Sequence, residues 1–150
     1  MTKEDKMLLI KDLSSRLPYA VHVQHISGVS GILRDISIYH IYDENDNIYD
    51  AICYTDLFKD ECSIGIEHFK PYLFPLSSMT EEEKEELKQE HIKDENLYIE
   101  CLTREAKGDS SMRGKVIIHY AIDWCNKNHF DYRGLIEKGL AIDATGLNIY

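Results

Sequence analysis

The sequence predicts an α+β domain: a small antiparallel β-barrel or sheet of four to five strands, with an N-terminal helix and C-terminal helices packed on it. Three observations carry this prediction. Leu9, Leu13 and Leu17 recur at helical spacing before the first proline. Between Tyr19 and Ile66, β-branched and aromatic residues fall in short runs broken by turn residues. Beyond Thr80 a capped acidic helix and, from Lys115, an apolar helix supply the helical part.

Thr2 caps a first helix from Lys3 to Arg16, with Met7 and Ile10 beside the leucine stripe. Pro18 ends it, because the residue before a proline avoids the α region. Tyr19, Val21 and Val23 then alternate with Ala20, His22 and Gln24, a strand pattern. "SGVSG" is a turn, "ILRDISIYHIY" a long strand, Asp43 to Asn47 a polar hairpin tip, and "IYDAICYT" the return strand. Cys62, Ile64 and Ile66 alternate with Ser63 and Gly65 as a fourth strand. Pro71 and Pro75 predict an extended, irregular path through "EHFKPYLFPLSS". A small SH3-like barrel fits this order, with "HFKPYL" as a turn-like segment before its last strand. An orthogonal sandwich fits it equally.

Thr80 and Glu83 fit the T-x-x-E capping box of an acidic helix, in which Leu87 and Ile92 are the clear apolar residues. Leu97, Ile99 and Cys101 alternate as a strand, and "REAKGDSSMRG" is a loop. "KVIIHYAIDWCNKN" is the most apolar helix. Ile117, Ile118, Ala121, Ile122, Trp124 and Cys125 form its buried face, and His119, Asp123 and Lys127 lie opposite. No repeat or linker interrupts the chain, so residues 1–150 read as one domain, with a β-rich core over about 19–66 and a helical part over about 80–141.

The stretch "NHFDYRGLIEKGLA" is read as a two-turn helix docked against the Trp124 helix. Asp131 is its N-cap, accepting the N–H of Arg133 or Gly134. Phe130 and Leu135 have the spacing of a hydrophobic staple. Gly139 takes the left-handed position past the end, and Leu140 closes a Schellman motif against Leu135. Lys138 falls in the last turn, where positive charge is favoured. Thr80, Asp131 and Gly139 are thus the structural capping residues. Arg133 and Tyr132 have no place in this scheme, and a surface salt bridge accounts for Arg133.

Of the 150 residues, 43% are hydrophobic and 29% charged, ordinary values for a globular chain. The formal charge of −10, from 27 acidic against 17 basic residues, argues against nucleic-acid binding and docking on anionic membranes. Arg104, Lys107, Arg113 and Lys115 form the one basic cluster. No apolar run approaches a membrane span or a signal peptide, so a cytoplasmic setting is expected. The 4 cysteines form no CxxC pair, and in that setting read as reduced thiols.

Catalytic and metal chemistry have little to stand on. His22 and His25, three apart on a strand, point to opposite faces. Cys125 and His129 lie four apart at a helix end, without the second pair that a structural zinc site needs. Cys53, Cys62 and His68 converge only if the fold brings them together, and Cys101, beside His119 as the one nucleophile and base on offer, reads as a small core residue. Asp43, Asn45 and Asn47 lack the glycine and closing glutamate of a calcium loop. No nucleophile elbow, phosphate loop or dinucleotide fingerprint is present. No catalytic residue, metal or cofactor is therefore assigned.

"KPYLFPLSSMTEEEKEEL" and "DWCNKNHFDYRGLIEKGLA" together resemble a family of small uncharacterised proteins of gut anaerobic bacteria, their prophages and mobile elements. The likeness lies in a Lys-Pro-Tyr-Leu-x-Pro segment, a capped acidic helix, and a Trp helix followed by the short Asp131 segment. It covers about Lys70 to Leu87 and Asp123 to Ala141. Family members carry a basic residue where Phe74 stands and leucine where Cys125 stands, and Gln89 to Met112 is peculiar to this chain. The resemblance implies a bacterial or phage cytoplasm and a mobile-element origin, with no catalytic residue to carry over.

The expected function is a protein-interaction module without catalysis. Tyr39, Tyr49, Tyr72 and Phe74 are its candidate contact aromatics, and Tyr72, Phe74 and Arg133 its candidate binding residues. The expected partner is a protein, and no oligomeric state is assigned. One alternative is a small enzyme, which requires two or more of His68, Cys101, His119, His129 and Arg133 in one deep pocket. Another is an acidic inhibitor of a DNA-binding host protein.

Overall fold

The first helix, α1, runs Lys3–Arg16 as its sequence requires. The Thr2 hydroxyl accepts the Asp5 N–H at 3.1 Å, and the Asp5 carboxylate accepts the Thr2 N–H at 3.3 Å. Leu9, Ile10 and Leu13 are buried, while Met7 is exposed. The computed structural model describes the backbone of residues 1–42, 47–55, 64–89 and 115–150, and side chains within 1–37, 64–87 and 119–150. The expected strand over Leu97 to Cys101, the loop ending at Gly114, Ile92, the tip residues Asp43 to Asp46 and the side chains of Tyr39 and Tyr49 lie outside the described residues.

After α1 the chain makes one 3-10 turn, Leu17–Tyr19, begun by Pro18, and Ala20 swings into the left-handed region at φ 53°. The first strand therefore starts later than the alternation suggests: β1 is His22–His25. Val21 and Val23 are nonetheless both fully buried, as their spacing requires. The turn to β2 closes through the His25 N–H on the Val29 carbonyl at 2.8 Å, with Gly28 at φ 87°. β2 (Ser30–Tyr42) pairs antiparallel with β3 (Asn47–Thr55) in register from Asp35↔Tyr54 to Tyr42↔Asn47, with an irregularity between Leu33 and Asp35. β4 is only Ile64–Gly65, because Ile66 opens a 3-10 turn, Ile66–His68, that sinks its side chain into the core.

The two prolines do not make "FKPYLFP" irregular. Phe69–Pro75 is β5, the hub of the sheet. It pairs antiparallel with β1 and parallel with two short strands, β6 (Phe130–Asp131) and β7 (Ile142–Asp143). The register explains why Pro71 is tolerated. The Ile26 N–H donates to the His68 carbonyl at 2.9 Å. Bonded pairs alternate in an antiparallel ladder, so Pro71 faces Val23 at a non-bonded position, and the ladder to β1 loses no hydrogen bond there.

The strands form a mixed sheet in the order β4-β3-β2-β1-β5-β6, with β7 also on β5. This path has two ends, so the described sheet is open. The antiparallel barrel is not the arrangement seen: the chain returns to β5 twice from its C-terminal part, and both returns run parallel.

Helix α2 (Glu81–Gln89) carries the expected capping box. The Thr80 N–H donates to Glu83 at 2.7 Å, and the Glu83 N–H to the Thr80 hydroxyl at 3.2 Å. Helix α3 (Lys115–Lys127) buries Ala121, Trp124 and Cys125, with Ile122 half-buried and His119, Asp123 and Lys127 exposed. The buried side chains form two clusters. Leu9, Leu13, Val21, Val23, Phe69, Leu73 and Leu135 join α1 to the sheet. Leu87, Trp124, Cys125 and Phe130 join α2 and α3 to β6, with the Trp124 and Phe130 rings stacked at 5.4 Å.

The segment after β6 departs from the two-turn helix. Gly134 is left-handed at φ 72°, and a single turn follows, with the Lys138 N–H on the Gly134 carbonyl at 3.2 Å. Asp131 caps it, but from further back. Its two oxygens accept the N–H groups of Leu135 at 2.9 Å and Ile136 at 2.8 Å, not those of Arg133 and Gly134. The Schellman closure forms as expected. The Leu140 N–H reaches the Leu135 carbonyl at 2.9 Å, the Gly139 N–H reaches that of Ile136 at 3.0 Å, and Gly139 is at φ 69°. The staple does not form, because Phe130 packs with Trp124 while Leu135 belongs to the α1 cluster.

Candidate functional site: an arginine-floored pocket

Asp12 and Arg16 are fully buried, one helical turn apart on the face of α1 that also carries Leu9 and Leu13. Arg16 Nε and Nη2 grip the Asp12 carboxylate side-on, at 2.8 and 3.0 Å. Nη2 also reaches the Phe130 carbonyl at 2.8 Å, and Nη1 the Cys125 carbonyl at 3.3 Å. Arg16 thus ties α1 to the end of α3 and to β6, across the two apolar clusters. Burial opposes its charge, and Asp12 more than offsets this, so its pKa rises.

Arg133 approaches the same carboxylate from the turn after β6. Its Nη1 donates to Asp12 Oδ1 at 3.0 Å and to the Ser15 hydroxyl at 3.1 Å, and its side chain is 8% exposed. Its guanidinium lies over the Tyr132 ring, 4.5 Å from the centroid. Tyr132 is itself buried, which pushes its phenol up to about 12. One carboxylate therefore serves two guanidinium groups. Arg16 is compensated by both oxygens of Asp12 and two carbonyls. Arg133 has a shared oxygen, a hydroxyl and an aromatic face.

Arg133 and Tyr132 also line a cavity of about 290 Å³, together with Glu4, Asp5, Leu8, Lys11 and Lys138. Tyr132 and the Arg133 side chain are its most buried lining groups and so form its floor, Leu8 and Asp5 are half-buried, and Glu4, Lys11 and Lys138 are exposed at its rim. Asp5 is committed to Thr2, which holds its pKa below the usual carboxylate range. Arg133 was expected in a surface salt bridge or a binding role. It lies in a nearly buried ion pair at the bottom of a pocket.

The other candidate residues lie elsewhere. Tyr72 is 5% exposed, and its hydroxyl contacts Gln24 at 2.9 Å and Ser30 at 2.8 Å. Phe74 is half-buried between Phe130 and Tyr150, with ring centroids at 6.0 and 5.9 Å. It also lines a smaller cavity of about 190 Å³ with Thr80, Phe130 and Gly146. His22 packs edge-on to Tyr150, and His25 packs against His68 and Phe69. Cys125 is buried and forms no disulfide among the described residues. Among the described residues no group of three His, Cys, Asp or Glu side chains could hold a metal ion. Of the residues that an enzyme reading requires together, only Arg133 lines the larger cavity. Cys101 lies outside the described residues.

His129 has a different part. At φ 59° it presents its ring flat against Tyr150, with centroids 3.8 Å apart. The Tyr150 hydroxyl donates to the Tyr72 carbonyl at 2.8 Å and accepts the His22 N–H at 3.2 Å. Burial, then the charge on Arg16, lowers the His129 pKa to about 4. Unfolding restores a value near 6.5, so the unfolded chain binds more protons below that pH. The contribution of His129 to stability is complete above about pH 6.5 and is lost as pH drops toward 4, by up to about 3 kcal/mol. His129→Asn, which suits a left-handed backbone, is expected to flatten this slope in urea unfolding between pH 7 and 4. An unchanged slope would remove His129 as its source.

In comparisons with known proteins the chain matches no family model, no curated protein and no solved structure. The class of protein is therefore defined by its own geometry: an α+β domain with an open mixed sheet and an arginine-floored pocket beside α1. No described helix is long and apolar enough to cross a membrane.

Proposed function

We propose that this protein is a non-catalytic interaction module that docks an anionic group of a partner polypeptide in the Arg133 pocket. One observation carries the reading: a single buried carboxylate, Asp12, is shared between two guanidinium groups, and the second opens into a cavity. Burying an incompletely compensated charge is costly, so a site that keeps one next to open space favours an incoming anion. The cavity, about 290 Å³, is at the small end for ligand sites and suits one side chain better than a cofactor. The overall charge of −10 does not forbid this, because fields from distant surface carboxylates are screened within about 8 Å at physiological salt.

The test is an array of acidic, phosphorylated and neutral peptides, probed with the intact protein and with Arg133→Met. The reading predicts retention on the anionic subset and its loss in the variant. Retention that is indifferent to peptide charge, or equal in the variant, would contradict it.

A further inference from the structure

The chemistry of the anion can be read from how the protein treats its own carboxylate. A guanidinium offers a carboxylate its side-on edge, Nε with Nη2, as two parallel donors. Arg16 uses that edge on Asp12, at 2.8 and 3.0 Å. Arg133 instead reaches Asp12 and Ser15 through Nη1 alone. Its own Nε and Nη2 bond no described atom, and neither is among the buried polar atoms sealed from solvent. The edge that seats a carboxylate on Arg16 is thus unused on Arg133, in the side chain that floors the cavity.

Charge limits what can fill it. Asp12, Arg16 and Arg133 together leave one positive charge in excess. The rest of the lining pairs Lys11 and Lys138 against Glu4 and Asp5 and adds none. A monoanion balances this excess, whereas a phosphate dianion would face Glu4 and Asp5 with a surplus negative charge. Leu8 supplies an apolar wall for a short aliphatic stem.

Building on the docking function above, we infer that the Arg133 pocket takes the carboxylate of an acidic side chain, held side-on by Nε and Nη2. The stem lies against Leu8, and Lys11 and Lys138 flank the charge.

The probe is N-acetyl-glutamate amide, with N-acetyl-glutamine amide and inorganic phosphate as comparisons at matched ionic strength. The observable is the Arg133 Nε–H resonance in ¹⁵N spectra of the whole protein. The acid is expected to shift it saturably and the neutral amide to leave it in place. Arg133→Lys keeps the charge but loses the fork, so it should bind the acid at least about tenfold more weakly, read from neighbouring backbone amides in a still-dispersed spectrum. Equal response to the neutral amide, or undiminished binding by Arg133→Lys, would overturn the carboxylate fork. Tighter binding of phosphate would overturn it too, while leaving the anion-docking reading standing. If no anion moves the resonance, both readings fall.

Discussion

Asp12→Ala is expected to lower the stability of the protein by about 3–5 kcal/mol, the largest loss from any single charged residue described here. Removing this carboxylate leaves Arg16, fully buried, with only the Cys125 and Phe130 carbonyls. It also strips Arg133 of its one anionic partner. Two cations would then face each other without a counterion. Urea unfolding at pH 7 measures the loss. Arg133→Met added to Asp12→Ala should recover part of it, since one of the stranded charges is gone. A loss below about 1 kcal/mol for Asp12→Ala would mean that water reaches Arg16 and that the network is not the tie between α1 and β6 described above.

Asp131→Ala comes next, at about 2–4 kcal/mol. The carboxylate is buried and accepts two backbone N–H groups, from Leu135 and Ile136, and each costs about 1–3 kcal/mol when left unpaired. An ordinary N-cap contributes nearer 1 kcal/mol, so the size of the loss distinguishes the two geometries. Asp131→Asn retains one acceptor and should fall between wild type and alanine. An unchanged midpoint for Asp131→Ala would refute the capping role altogether.

These two residues mark where the sequence could be read and where it could not. Asp131, Gly139 and Leu140 were legible because caps are local: a few residues supply both the donor and the acceptor. Even so, Gly134 moved the cap, because a left-handed residue delays the turn and hands Asp131 the N–H groups of Leu135 and Ile136. Thr2 and Thr80 were legible for the same reason, and both helix starts stand where their capping boxes put them. β5 was not. Pro71 weighs against a central strand unless its partner's register is known, and that register is set by β1, nearly 50 positions earlier. The parallel returns of β6 and β7 to β5 leave no mark on strands of 2 residues each.

The candidate site was half legible. Arg133 stood out because the capping scheme had no use for it. Asp12 and Arg16 were overlooked, although the signal was present. They sit one turn apart with opposite charge, on the stripe of α1 that also holds Leu9 and Leu13. A charged pair on an apolar stripe is a candidate for burial, and here both members are fully buried. What the sequence could not supply was the contact joining Asp12 to Arg133, 121 positions along the chain.

The most direct test of the central claim is the stability of Arg133→Met without any ligand. If Arg133 is a charge kept for an incoming anion, Asp12 remains paired with Arg16 in the variant, an incompletely compensated cation is gone, and stability changes by less than about 1 kcal/mol or rises. If Arg133→Met loses about 3 kcal/mol or more, as Asp12→Ala is expected to, then Arg133 serves the fold, and the pocket above it is not an anion site.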